Sequence, residues 1–276
     1  MAVLSVDLAY RRWSDLGVVV LSRASSRVPA SPIVCEILTF DPPGVDAAGD
    51  RGSRGQVFVR GVSDRAPIDP EILAGRLNHL CAVRDIRILM LDGPQAWKSG
   101  SNGLAHARVS ERQLNTAAKT GLPGMVKPLT HRSFAEFCMD VYDALCRRGW
   151  RRLHTRPQPH ATEPQERVLV ESYPHAAWKS LGLKPLPAKR RARVSDLAEA
   201  YGALRSVIPF TTNRPPNHDQ LQAIVAGLPG LALEEHNPSG LHIVGRPPRR
   251  ELGHWREGFI VLPLPPRTDS HVLWLH

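Results

Sequence analysis

The chain has 276 residues, an apolar fraction of 42% and a formal net charge of +10. That is enough apolar material for a sizeable core, and no run approaches the ~18 apolar residues of a membrane span. No basic stretch followed by a long apolar one opens the chain, so a secretory leader is not expected and a soluble, cytoplasmic protein is. Cys35, Cys81, Cys138 and Cys146 form no CxxC pair, which argues against a zinc ribbon or disulfide framework and for reduced, buried thiols. The basic balance favours a polyanionic partner, nucleic acid first. The richness in Arg, Ala and Pro is also the bias of GC-rich bacterial sequences, which raises Arg content without function.

Residues 2–8, 17–22 and 33–39 read as three strands joined by short turns, an antiparallel meander. The first, Val3-Leu4-Ser5-Val6-Asp7-Leu8, carries an acid near its end. Residues 41–56 are a Pro/Gly/Asp/Ser stretch without periodicity, read as a mobile excursion. Residues 69–84 read as a helix capped by Asp69, with Pro70 in its first turn and Ile72, Leu73, Leu77 and Leu80 on one face. Ile86–Leu91 is apolar on both faces and ends in Asp92-Gly93-Pro94. A strand placed after a helix implies a parallel or mixed, buried sheet.

Residues 93–130 are Gly- and Pro-rich, with a short helical segment around Glu111–Lys119. An excursion directly after a strand end is usually a lid or binding loop. Residues 131–149 are the clearest helix, with Phe134, Phe137, Cys138, Val141, Tyr142 and Leu145 at helical spacing and Gly149 as its stop. The aromatic stripe reads as core packing. Arg147, Arg148, Arg151, Arg152 and Arg156 follow, either a phosphate-facing patch or a solvated face. Val168-Leu169-Val170 is a strand leading into Glu171-Ser172-Tyr173-Pro174-His175 and a helix to Leu181. A second basic run, 184–193, precedes a helix at 194–206. The last helix opens at Asn217-His218-Asp219, and closing strands are expected at 241–245 and 258–264. No internal repeat or linker marks a second domain, so one domain over 1–276 is expected.

Asp7, Asp92 and Glu171 lie in or at the end of core strands, and Asp219 starts a helix. Four acids meeting at one end of a sheet would repel one another, by about 1 kcal/mol per pair at ~4 Å even in water and several times more near a protein surface. Cations would neutralise such a cluster. Magnesium prefers oxygen ligands, and two ions about 3.5–4 Å apart can activate water and stabilise the leaving oxygen in phosphodiester cleavage.

The element order is similar to the ribonuclease-H-like fold. The motifs Ser5-Val6-Asp7-Leu8-Ala9, Leu91-Asp92-Gly93-Pro94-Gln95, Val170-Glu171-Ser172-Tyr173-Pro174-His175-Ala176-Ala177-Trp178, Leu183-Lys184-Pro185-Leu186, His218-Asp219-Gln220-Leu221-Gln222-Ala223 and Trp255-Arg256-Glu257-Gly258-Phe259-Ile260-Val261-Leu262-Pro263 together resemble the domain of unknown function 429 family. That family is described as predicted nucleases of the ribonuclease-H-like superfamily. The resemblance implies an α/β mixed sheet flanked by helices, and a two-ion magnesium or manganese site. In it Asp7 would bridge both ions, Asp92 and Glu171 would be direct ligands, and Asp219 would complete the set. Relatives often carry a second acid in the final motif, where this chain has Gln222.

Neighbouring residues have two readings each. His175 could contact the scissile phosphate or cap the following helix. His218 could orient water beside Asp219 or serve as a turn residue. Arg108 and Arg112, four apart, could grip a phosphate together or lie on a solvated helix face. Lys179 and Lys189 are further candidates of the same kind. The absence of GxxxxGK[ST], GxGxxG and GxSxG patterns argues against a phosphate-cradling loop and a serine hydrolase. A metal-dependent nuclease is the leading expectation. The alternative is a catalytically inactive nucleic-acid-binding or scaffold protein of the same fold.

Overall fold

The structure, a computed structural model, describes residues 2–24, 31–42, 67–156 and 166–265. Most of the excursion expected at 41–56, and part of the basic segment after 150, lie outside the described residues.

The three N-terminal strands form as β1 (Ala2–Asp7), β2 (Gly17–Arg23) and β3 (Ile33–Leu38). They pair antiparallel in sequence order. Helix α1 (Pro70–Val83) is capped by Asp69, whose carboxylate accepts from the N–H groups of Glu71 and Ile72. Those are two of the donors that a helix start leaves open. Strand β4 (Ile88–Asp92) lies parallel to β1. The excursion beyond it carries α2 (Val109–Leu114) and a small hairpin, β5 (Lys119–Thr120) with β6 (Val126–Lys127). Then come α3 (Arg132–Arg147), β7 (Arg151–Arg152), β8 (Val168–Ser172) and α4 (Pro174–Ser180). The chain continues through α5 (Val194–Val207), β9 (Phe210–Thr212) and α6 (His218–Glu234) to β10 (Leu241–Glu251) and β11 (His254–Pro263).

The main sheet has the order β10-β11-β8-β4-β1-β2-β3-β9, with β7 beside β8. It is mixed: β1, β4 and β8 run parallel, and β2 runs against β1 and β3. An antiparallel three-strand start, then helix, strand, helix, strand, helix, is the ribonuclease-H-like arrangement, here with insertions.

Both faces of the central strands are covered. Val3, Met90 and Val170 pack with Leu221, Ile224 and Leu228 of α6. Leu4, Leu89 and Leu169 pack with Leu73 and Leu77 of α1 and with Val141 and Leu145 of α3. Successive side chains of a strand leave opposite faces, so a strand covered on both sides reads as an unbroken apolar run. The aromatic stripe of α3 is core, as expected.

Two local expectations are corrected. The helix expected at 111–119 is α2, which stops at Leu114 because Asn115 is left-handed (φ 49°). The C-terminal strands are longer than expected and form a hairpin closed by Leu252 and Gly253, both at positive φ (49° and 79°). Such two-residue turns usually carry Asn or Asp first, and Leu252 hides the signal. Pro247 and Pro248 lie within the first of these strands. They are accommodated by a register shift between Arg246 and Arg249, since proline has no N–H for the ladder.

Candidate active site

β1 and β4 are paired so that Asp7 stands level with Asp92. By alternation Asp7 leaves the sheet on the face of Val3, and Asp92 on the face of Met90, the side covered by α6. The two carboxyls share a hydrogen bond. Burial, with the nearby charges of Asp92 and Asp219, pushes Asp7 well above the usual carboxylate range. Burial pushes Asp92 up to about 7, against the lowering effect of the hydrogen bond from Asp7, and the nearby Glu171 charge adds to the rise. Side by side and partly desolvated, the two carboxyls favour sharing a proton over carrying two charges.

Helix α6 delivers Asp219 to the same place. Its start is a reciprocal capping box: Asn217 Oδ1 accepts from Gln220 N (2.9 Å), and Gln220 Oε1 accepts from Asn217 N (3.0 Å). That first turn rests on Gly17, the strand partner of Asp7. A Cβ on Gly17 would come within 2.2 Å of the Asp219 carbonyl oxygen. Asp219 is 6% exposed. Its carboxylate receives Lys189 Nζ, which also binds Asp15 Oδ1 at 2.7 Å. His218 Nδ1 lies 3.3 Å from Asp219 Oδ1, while its Nε2 donates to the Pro187 carbonyl at 2.9 Å. Asp219 thus has a cation of its own.

Glu171 is placed differently. β8 is paired so that Leu91 stands level with Glu171, and Asp92 with Ser172. Ser172 takes the face of Asp92, and Glu171 leaves with Leu169, on the side of α3. There it meets Arg108. Arg108 Nη2 donates to Glu171 Oε1 (2.6 Å) and Nη1 to Oε2 (2.7 Å), and Oε2 also accepts from Gln95 N (3.0 Å). Arg108 Nε donates to Glu111 Oε1 and Thr120 Oγ1, both at 3.1 Å. Glu111 Oε2 accepts from the backbone N–H groups of Arg108 and Thr120. Arg108 is 1% exposed, and Glu111 and Glu171 are 3% exposed each.

Of the four acids, then, the structure brings Asp7, Asp92 and Asp219 to one face and sends Glu171 to the other. Arg108 and Arg112 do not face one way: Arg108 is the extended N-cap residue of α2 and is buried, whereas Arg112 is exposed. Helical spacing does not apply to a residue outside the helix. His175 and Lys179 are exposed on α4, with the His175 ring 5.9 Å from that of Tyr173. Gln222 Oε1 accepts from Trp178 Nε1 at 2.8 Å, tying α4 to α6. Sequence reasoning missed Glu111, which sits three residues after Arg108. The usual capping-box signature starts with Ser or Thr, so Arg108-x-x-Glu111 carried no signal. Gly17 was missed too, because nothing local marks a close approach by a helix 200 residues on.

The first basic cluster is largely neutralised. Arg147 and Arg148 bind Glu71, Arg151 binds Glu166, and Arg152 is buried on Asp143. The second remains open: Arg190, Arg191 and Arg193 are exposed and make no ion pair among the described residues. Lys189 places that run beside Asp219, and Asp15 places exposed Arg11 and Arg12 nearby. A cavity of about 230 Å³ is walled by Asp92 and Ser172 together with Glu171, Arg108, Glu111 and Tyr173.

Among the described residues, no three His, Cys, Asp or Glu side chains come together as a ready-made metal cage. The donor set that fits a hard divalent ion is Asp7 with Asp92. The two carboxyls are adjacent, partly open to solvent and in no ion pair among the described residues. Magnesium is commonly held by one or two carboxylates, with water and substrate phosphate filling the remaining positions. Glu171 does not fit as a further ligand, because both its oxygens already accept charged or backbone donors.

No protein-family model matches the chain, and no curated protein matches it. The resemblance to the domain of unknown function 429 family therefore rests on the motifs quoted above. Among solved structures, the chain is similar to that of Thermus thermophilus RuvC, with 11% identity over 86% of this chain and 98% of that one, at a TM-score of 0.35.

Proposed function

We propose that the protein is a divalent-metal-dependent nuclease that cleaves phosphodiester bonds at the Asp7–Asp92 pair, with magnesium or manganese as its ion. The observation that supports this is the register of β1 on β4, which sets two proton-sharing carboxyls side by side at an open strand end. The chemistry a divalent ion held there would supply is polarisation of a phosphoryl oxygen and a more acidic bound water.

The chain's own residues supply the rest. Asp7 and Asp92 would hold the ion through their carboxylates, giving up the proton between them. Asp219, paired with Lys189 whose side chain is 48% exposed, would offer a third carboxylate from α6 if that lysine were displaced. Arg11, Arg12, Arg190 and Arg191 draw a polyanion to the rim. His175 and Lys179 on α4 and Arg112 on α2 are exposed and free to contact the strand beyond the cleaved bond.

A second reading, a nucleic-acid-binding scaffold without turnover, is favoured by one observation: Glu171 is committed to Arg108. A nucleic-acid panel incubated with magnesium or manganese separates the two. The nuclease reading expects cleavage by the wild type that is lost in Asp7→Asn. Equal cleavage by both proteins, or tight salt-sensitive binding with no metal-dependent cleavage, contradicts it.

A further inference from the structure

We infer that Arg108 is a built-in cation holding the Glu171 side of the site, so that the protein takes up one divalent ion, at Asp7 and Asp92, and not two. This rests on the metal-dependent reading above and narrows it to a single-ion site.

Three observations carry it. The first is register. Asp92 is level with Ser172, so the one-residue offset turns Glu171 to the opposite face from Asp7. Both acids still line one cavity, so it is the pairing of Glu171 with Arg108, more than distance, that keeps an ion from bridging them. The second is occupancy. Glu171 receives two guanidinium donors at 2.6 and 2.7 Å and a backbone N–H at 3.0 Å. A bidentate arginine of this kind is the strong, geometrically fixed form of a charge-assisted pair. The third is immobility. Arg108 is 1% exposed, and its Nε–H is held by Glu111 and Thr120. Stripping a buried partner from its counter-ion opposes metal uptake by a factor on the order of 10²–10³. Lys189 on Asp219 is the contrast: it is half-exposed and free to leave.

The four acids thus divide. Glu171 carries a fixed cation and Asp219 a removable one, while Asp7 and Asp92 are in no ion pair among the described residues. An ion taken up at Asp7 and Asp92 would leave Arg108 in place. The guanidinium remains as a permanent positive charge where a second ion would have neutralised Glu171.

The test is manganese binding to the full chain, read by calorimetric stoichiometry and by electron paramagnetic resonance. The wild type is expected to bind one ion per chain, with a mononuclear signal and no spin coupling. Asp7→Asn should weaken that binding by about 100-fold or more. The double variant Arg108→Gln/Glu171→Gln removes one charge of each sign, so the field at Asp92 changes little. It should keep the one-ion affinity within about threefold. Two ions per chain with a coupled signal would overturn this inference and leave the nuclease reading standing. A more than tenfold loss of one-ion affinity in a folded double variant would do the same. No ion bound by the wild type would overturn the metal reading itself, and this inference with it.

Discussion

Glu171 leaves the sheet on the face opposite Asp7, although both lie on neighbouring parts of the same strand-end cluster. The cause is one residue of register. β8 offers Ser172 to Asp92 where Glu171 would have completed a row of acids. On its own face Glu171 joins a buried Arg108–Glu111–Thr120 network that anchors the excursion after β4 to the sheet. Two acids make the open site, a third is brought to it by α6, and the fourth fastens the loop.

The Asp7–Asp92 pair makes metal-free stability depend on pH. Both carboxyls have raised values in the folded protein, so the folded state binds more protons than the unfolded one above the ordinary value of 3.8. Stability is then greatest at acid pH and falls as pH rises toward and through about 7. Melting curves in chelator should show the wild type losing on the order of 2 kcal/mol, roughly 5 °C, between pH 5 and 8 relative to Asp7→Asn. Magnesium should restore the wild type and not the variant. A parallel pH dependence in the two proteins would contradict the shared proton.

Arg108→Ala should be among the most damaging single changes in the chain. It leaves Glu171 and Glu111 buried without a counter-charge. Breaking one side of a buried pair costs about 3–5 kcal/mol, and urea unfolding should report a loss of that size. Arg147→Ala, at a pair whose side chains are 62% and 50% exposed, should cost no more than about 1 kcal/mol. Similar losses from both variants would count against the network.

Gly17→Ala tests how α6 is seated. Its Cβ would meet the backbone of Asp219 and Gln220 at 2.2–2.9 Å. Overpacking against backbone costs about 1–3 kcal/mol, and the displaced turn should also weaken metal binding. Gly202→Ala, in the middle of α5 with nothing within 4 Å, should stabilise by about 0.5–1 kcal/mol. Urea midpoints of the two variants should therefore move in opposite directions.

Lys189→Gln removes a positive charge from Asp219 that also lowers Asp7. A divalent ion should then bind roughly 3- to 5-fold more tightly at low salt, with little change in stability because the lysine is half-exposed. Calorimetric titration at low and high ionic strength checks this. Unchanged or weaker binding would place Lys189 outside the reach of the ion.

Much of the architecture is legible in the sequence because each core strand and helix carries its own signal. Val3–Val6, Ile88–Leu91 and Val168–Val170 are apolar on both faces, and Asp69 and Asn217 are ordinary helix caps. Asp7 and Asp92 are legible as strand-end acids for the same reason. What cannot be read locally is relative offset. Glu171 and Ser172 are adjacent in sequence, and only the pairing of β8 with β4 decides which of them faces Asp7. The same holds for Arg108. Its spacing to Arg112 looks helical, but the helix begins after it, and its partner lies 63 residues away.

The most direct measurement is a crystal of the protein soaked in manganese, examined by anomalous scattering. One peak per chain is expected, between the carboxylates of Asp7 and Asp92, with Arg108 still paired to Glu171. A peak at Glu171 with Arg108 displaced, or no peak at Asp7 and Asp92, would contradict that expectation.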